Sequence, residues 1–505
     1  MNLSNFWSLP PARGCRRVLG CTFILLGAVA ATTHTFAEQS AADPPPPEVD
    51  PPVLTLANQS ATAAPPAEVD PPVLTTLDEP LPKPVDDVAL NGPPPVESYT
   101  IPPAPSEGGK NIYGAGAGIT SAPKRFQWGV RLTIRGVYDD NILLSHFDRI
   151  HDWYVAIEPA ITIGYGDDIV GRGGNYIRLD YAPSIFLYTE HSDDDAIQHL
   201  IRLEGQYRLG RLTLGLSQDV QILHGAHLDS STLDASAVAI AGSINAGVNG
   251  VRTNVYIYRT NAGASYDLTD RTFLSTEFHY LRDDFNTLIS SDEIYGDLFF
   301  NYKYSPKLAF GIGGGGGFNT VDIGPNSTFE QGLLRVQYQL TGKIALNATA
   351  GVEVRQFDSS DSVGSRGNEV SGVYEIGAVY QPFDGTVITL RGSSRVINSA
   401  IVADSDFLAT NVLLGVRQRL LERVYLGFTF GYEHAHYFPT VNGVNGAASG
   451  DDNYYLIEPA VDVMVTRWFT VGAYYLYRTN DSSRPPDDRF SYYENQVGLR
   501  ASFTY

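Results

Sequence analysis

Four groups of residues in this chain have types and spacings that chemistry uses. His434-x-His436 puts two imidazoles on one face of a strand, a geometry that can hold a transition metal. Asp193-Asp194-Asp195, Asp451-Asp452 and Asp487-Asp488 offer the carboxylate oxygens that Ca²⁺ takes. The run from Gly311 to Gly317 contains a Gly-x-Gly pattern, as phosphate-cradling loops do. Scattered serines, histidines and acids could meet in space as a hydrolytic triad at a barrel rim. Each also has a plainer reading. No helix follows Gly317 to supply a phosphate-binding N-terminus, so the glycines mark a place where a loop or an arm comes close to a wall. The two histidines suit an interfacial or loop-base position. The acidic runs suit solvated loops, bridged by divalent ions to lipopolysaccharide. The histidines are scattered, and no sequence pattern pairs one with a serine and an acid as a triad. The reading is therefore of a non-enzyme, with no cofactor and no metal assigned.

A larger set of charged residues is defined by the elements that must position it. From Phe126 onward apolar and polar residues alternate in runs of about a dozen, the period of half-buried strands. Trp128, Val130, Leu132, Ile134 and Tyr138 share one face, with Gln127, Arg131, Thr133 and Arg135 on the other. At the far end Val497, Leu499, Ala501, Phe503 and Tyr505 oppose Gln496, Arg500 and Ser502. The same assignment places Glu158, Arg178, Arg202, Glu204, Arg259, Glu277, Asp297, Arg335, Arg391, Arg417, Glu458 and Asp462 opposite the apolar set. An Arg or Lys facing lipid at mid-membrane costs about 2–4 kcal/mol, so these residues are expected to line an aqueous interior.

The connections between strands separate a membrane barrel from a soluble sandwich. Every second connection is short, as at Leu209-Gly210-Arg211, Ser305-Pro306-Lys307 and Val465-Thr466-Arg467. The intervening ones are long and acidic, including Asp139 to His151, Glu190 to Asp195, His224 to Gly250, Asp283 to Glu293 and Asp358 to Asn368. Short turns at one end and long loops at the other mark a transmembrane barrel. Eight short turns and nine long loops predict an all-β, antiparallel up-and-down barrel of about 18 strands, with 16 as the alternative, and both termini at the short-turn, periplasmic end. Tyrosines and tryptophans near the strand ends suit interfacial girdles. The terminal Tyr505 suits the signal read by the barrel-assembly machinery. Two prolines, in Ile157-Glu158-Pro159 and Ile457-Glu458-Pro459, predict bulges, because proline cannot donate to a ladder and a closed barrel has no edge to hold it.

Composition agrees with this and excludes other classes. The chain has 49 Gly, 30 Tyr and 23 Phe but 2 Cys and 2 Met, a strand-and-turn bias. Its net charge of -21 argues against nucleic acid as a partner. No stretch approaches the about 20 apolar residues of a membrane helix. Residues 1–37 read as a signal peptide, with Arg13, Arg16 and Arg17 before the apolar run Val18 to Ala31 and small residues up to Ala37. Both cysteines, Cys15 and Cys21, fall inside it, which leaves no thiol chemistry in the exported chain. Residues 38–122 are rich in Pro, Ala, Asp and Glu, and repeat Glu48-Val49-Asp50-Pro51-Pro52-Val53-Leu54-Thr55 at Glu68 to Thr75. They read as an extended periplasmic arm, either a spacer or a docking peptide for a periplasmic or cell-wall partner. Residues 123–505 are the barrel.

The segment Gly136-Val137-Tyr138-Asp139-Asp140-Asn141-Ile142-Leu143-Leu144-Ser145, followed by Ile157-Glu158-Pro159, resembles the start of the barrel in the β-barrel porin family of the second type. The resemblance implies a bacterial outer-membrane barrel, sometimes considered alongside exopolysaccharide export, and it brings no agreed substrate or catalytic residues. The expected function is a porin-like channel for passive diffusion of small hydrophilic solutes or for polysaccharide export. The alternative is a non-conducting structural or surface-binding barrel tethered to the cell wall by the arm.

Overall fold

Runs of alternating residues that each exceed the about 9–11 needed to cross a bilayer at a tilt should build one continuous sheet. The computed structural model describes residues 126–168, 173–225, 253–341, 343–358, 367–383, 385–421, 423–441, 449–485 and 490–505. The expected signal peptide, the proline-rich arm, most of the His224 to Gly250 loop and Asp487-Asp488 lie outside the described residues. The strands are β1 Phe126–Asp139, β2 Asp152–Asp168, β3 Gly173–Tyr188, β4 Ala196–Leu209, β5 Leu212–Gly225 and β6 Thr253–Asp267. They continue as β7 Thr272–Phe285, β8 Ser291–Ser305, β9 Leu308–Val321, β10 Ser327–Thr341, β11 Ile344–Phe357 and β12 Glu369–Tyr380. The last six are β13 Thr386–Asn398, β14 Ser405–Leu420, β15 Val424–Pro439, β16 Gly450–Thr466, β17 Phe469–Ser482 and β18 Tyr492–Thr504. Each pairs antiparallel with its sequence neighbours, and β1 pairs with β18 from Arg131↔Thr504 to Asp139↔Gln496, closing an 18-stranded antiparallel barrel. Val130 and Tyr505 complete the seam by exchanging backbone hydrogen bonds of 2.9 and 2.8 Å.

The two faces separate as the alternation requires. Leu298, Ile312, Leu334 and Leu499 on the outward register are more than half exposed, whereas Arg135, Tyr154, Arg178 and Phe299 on the inward register are almost wholly buried. Charges on the outward register of the strands (Arg282, Asp284, Asp292, Glu330, Asp406, Asp451 and Asp481) all lie near the long-loop end. Among the described residues, a band free of charge remains between them and the short turns, as a lipid-facing wall requires.

Two expectations are corrected. The loop from Asp283 to Glu293 is shorter than its composition suggests, because β7 runs to Phe285 and β8 begins at Ser291. Arg282 pairs with Asp284 at 3.2 Å and Asp292 at 2.9 Å, and the Tyr280 hydroxyl donates to Asp292 at 2.7 Å, so polar residues carry this hairpin past the apolar band. The bulges expected at Pro159 and Pro459 are absent. Leu132↔Pro159 and Phe428↔Pro459 sit in unbroken registers. On the opposite sides pairing lapses between Ile157↔Ile185 and Ile161↔Tyr181, and between Ile457↔Tyr477 and Ala460↔Tyr474, and then resumes without a shift. Successive residues turn their N–H groups to alternate neighbours, so each missing donor is felt on one side only. Against Pro159 that side presents Pro183, which has no donor to lose.

The glycines of β9 shape the wall. Its inward register is Gly311, Gly313, Gly315 and Gly317, and a Cβ on Gly317 would stand 2.2 Å from the Ile294 carbonyl oxygen and 2.5 Å from the Tyr295 Cβ. Among the described residues, the groups lying against these glycines are Tyr295, Asp297, Phe299 and Asn301 of β8, with Arg335 of β10 beside Gly311. Across them Tyr295 reaches the Phe329 ring of β10 at 6.1 Å, and the Arg335 guanidinium lies 3.7 Å over Phe299. Inward side chains two strands apart thus meet across β9. Gly317→Ala is expected to destabilise the barrel by about 1–3 kcal/mol through overpacking. The readout is a lower temperature at which the compact band on a denaturing gel converts to the unfolded one.

Candidate functional site: the barrel interior

Residues two apart on a strand share a face, so each strand presents a short inward ladder in which a charge meets a partner on the same or the next strand. Arg135 of β1 donates to Glu158 of β2 at 3.2 and 2.8 Å through Nε and Nη2, and to the Tyr474 hydroxyl of β17 at 2.8 Å. Arg178 and Asp180 form a two-pronged pair along β3, at 2.8 and 2.9 Å, with Thr162 donating to Asp180 at 2.5 Å. Arg202 lies 3.2 Å from Glu204 and 3.7 Å from Asp219, and Arg259 lies 3.4 Å from Asp283. Arg500 of β18 donates to both carboxylate oxygens of Asp462 on β16, at 2.8 and 2.5 Å. That pair passes over Gly472 of β17, where a Cβ would stand 2.0 Å from Asp462 Oδ1.

The other sequence-predicted residues fall on the same register. Glu277, Asp297 and Arg335 come together on β7, β8 and β10, with Arg335 3.7 Å from Glu277 and 4.0 Å from Asp297. His279 joins them, stacked on Tyr295 at 4.3 Å. Glu277, His279 and Asp297 each bring one potential metal ligand within 4.8 Å of the others. The Arg335 guanidinium lies between the two carboxylates, so the group is also an ion-pair cluster. Arg417 lies over the Tyr425 ring at 4.4 Å, and Glu458 is buried on the inward row of β16. Arg131 and Arg391 are half-buried on the inward rows of β1 and β13.

Sequence reasoning missed Asp219, Glu293, Arg355 and Arg478. Arg355 follows Glu353 by two and pairs with it at 2.9 Å, a parity that is legible in the sequence. Arg478 pairs with Glu494 of β18. Glu293 falls at the end of an expected loop. The other histidine and acidic motifs that fall within the described residues lie at the long-loop end. His434 and His436 lie on the outward register at the long-loop end of β15, 3.7 and 2.7 Å from Asp451. Ser192–Asp194 forms one turn of 3-10 helix, and Asp195 Oδ1 accepts the Tyr188 N–H at 2.8 Å.

The interior is not a uniform tube. β12 pairs with β13 from Tyr380↔Ile388 to Tyr374↔Ser394 and no further, although β12 continues in register with β11 through Val354↔Val370. Beyond Ser394 the β13–β14 hairpin turns into the barrel. Val396, on a register that is outward at Leu390, is fully buried against Phe357 of β11 and Phe438 of β15. Arg395 pairs with Glu293 of β8, Asn319 of β9 donates to Asn398 at 3.3 Å, and the Ile289 N–H donates to the Ala400 carbonyl at 2.9 Å. The hairpin therefore lies against the inner surface of β8–β11 and takes up part of the lumen at the long-loop end.

No family model matches the chain, and no curated protein matches it. Among solved structures, the outer membrane protein OpdK from Pseudomonas aeruginosa is similar at 12% identity, over 75% of this chain and 98% of that one, with a TM-score of 0.38. OccAB4 from Acinetobacter baumannii is similar at 11% identity, over 77% and 100%, with a TM-score of 0.36. A bacterial polysaccharide outer membrane secretin is similar at 8% identity, over 74% and 98%, with a TM-score of 0.28. At these scores the barrel rests on its own strand pairing.

Removing one partner of a buried ion pair leaves the other charge without compensation, at about 3–5 kcal/mol. Glu158→Gln is expected to lower the unfolding free energy in detergent by that order, and the exposed-loop variant Asp148→Asn to leave it unchanged. Urea titration followed by tryptophan fluorescence measures both.

Proposed function

We propose that this protein is a bacterial outer-membrane channel for passive passage of small hydrophilic solutes. The observation that carries the reading is the closed 18-stranded barrel with paired charges inside and an apolar band outside. Barrels of 16–18 strands are wide enough for an aqueous lumen. In this barrel the infolded β13–β14 hairpin narrows it, which favours small solutes over a polysaccharide strand. The inward ion pairs mix both signs, so weak ion selectivity is expected. In this reading the short turns and both termini face the periplasm, Tyr505 serves the barrel-assembly machinery, and the acidic long loops meet lipopolysaccharide. Residues 1–37 are removed as a signal peptide, and residues 38–122 form an arm toward a periplasmic or cell-wall partner. The similarity of Gly136 to Pro159 to the second type of β-barrel porin supports the same reading.

Planar-bilayer recording of purified, folded protein tests it. Discrete single-channel steps with little preference between cations and anions are expected, with or without residues 38–122. Silent bilayers from both forms would contradict the channel and leave the tethered, non-conducting barrel.

A further inference from the structure

The seam between β12 and β13 stops short for no reason visible in either strand. Val370, Ser371, Gly372 and Val373 are in register with β11, and none is a proline. Extending the register Tyr374↔Ser394 by one step at a time would set Val373 against Arg395, Gly372 against Val396, Ser371 against Ile397 and Val370 against Asn398. The long-loop ends of β13, β14 and β15 would move together, since β13–β14 runs unbroken to Asn398↔Asp406 and β14–β15 to Ser405↔Pro439. Instead the Ser394 hydroxyl donates to the Gly372 carbonyl at 3.3 Å, capping the ladder where it splits.

We propose that the β13–β14 hairpin, moving with the long-loop end of β15 to which it is paired, is a gate with two arrangements of one register: infolded, as in this structure, and zipped onto β12 with its tip withdrawn from the lumen. Different contacts hold the two. The infolded arrangement has the Arg395–Glu293 ion pair, with Arg355 3.9 Å from the same carboxylate, the Asn319–Asn398 hydrogen bond, and Val396 packed on Phe357 of β11. The zipped arrangement replaces these with ladder hydrogen bonds to Val370 and Gly372 and returns Val396 to the outward register. Backbone bonds gained oppose ion pairing and apolar burial lost, so the balance is set by few groups and responds to Glu293. The gate widens the lumen when zipped and narrows it when infolded; this consequence rests on the channel reading above, whereas the movement itself does not.

Ser371 and Ile397 would form a non-hydrogen-bonded pair in the zipped arrangement, which suits a disulfide. The packing of Ile397 on its cross-strand partner Phe407 and on Ala409, Ala435 and Tyr437 lies within the moving sheet and is kept in both arrangements. The test is the full chain carrying Ser371→Cys and Ile397→Cys with Cys15 and Cys21 replaced by Ser, oxidised after folding into detergent. Loss of maleimide labelling at both thiols, restored by reductant, is expected, together with a conductance held at its higher level until reduction. Thiols that stay separate in the folded barrel would overturn the proposal, as would a crosslink that leaves conductance unchanged. Should the double variant fail to fold, Glu293→Gln in the otherwise unaltered chain decides it. A rise of about tenfold in the ratio of high- to low-conductance dwell times is expected for loss of a charged hydrogen bond, and an unchanged ratio would overturn the gate. A wild-type protein that never conducts would sink the channel reading, and the crosslink alone would then decide whether the hairpin moves.

Discussion

A sheet immersed in lipid has no water to satisfy the backbone along a free edge, so everything in this molecule depends on the pairing of its first strand with its last. That pairing spans Arg131↔Thr504 to Asp139↔Gln496 and ends in the reciprocal bonds of Val130 and Tyr505. Closure gives the alternation its meaning: the same period of two that would be in and out of a soluble sheet becomes lumen and lipid. It also gives the terminal aromatic a structural place, with the Tyr505 ring 5.7 Å from Trp128 at the short-turn end.

Closure then creates a problem of charge. The inward rows carry arginines with almost no exposure, and each such charge needs a carboxylate or a ring held against it. The chain solves this with pairs along one strand (Arg178 with Asp180, Arg355 with Glu353), across one seam (Arg135 with Glu158, Arg478 with Glu494), or over a glycine on the strand between (Arg500 with Asp462). Where four glycines follow one another on the inward row of β9, the side chains of β8 lie over them. The pairing of Glu293 on β8 with Arg395 on β13 depends on the hairpin carrying Arg395 entering the lumen.

Much of this architecture is legible in the sequence. Trp128 to Tyr138 and Val497 to Tyr505 declare their faces by spacing alone, and the asymmetry of turns yields 18 strands. Partner identities are less legible, because a pair such as Arg500 and Asp462 depends on stagger between strands that the alternation does not report. The prolines mislead because a missing donor at Pro159 or Pro459 concerns one neighbour only, a distinction that appears once the pairing is known. The infolded hairpin is invisible for a deeper reason: residues 395–398 have the composition of an ordinary strand end, and continuing the β12 seam would have satisfied the sequence equally well.

A closed barrel with lipid outside and paired charges within is tested most plainly by nitroxide labels at single cysteines along Ile161, Thr162, Ile163 and Gly164 of β2. Relaxation by oxygen, which concentrates in lipid, and by a polar nickel complex, which stays in water, should alternate residue by residue. High oxygen access is expected at Ile161 and Ile163, whose side chains are on the exposed face, and low access at Thr162 and Gly164, which face inward. Uniform access to the nickel complex at all four positions would contradict a membrane-spanning wall, and with it the division of this sheet into a lipid face and a lumen face.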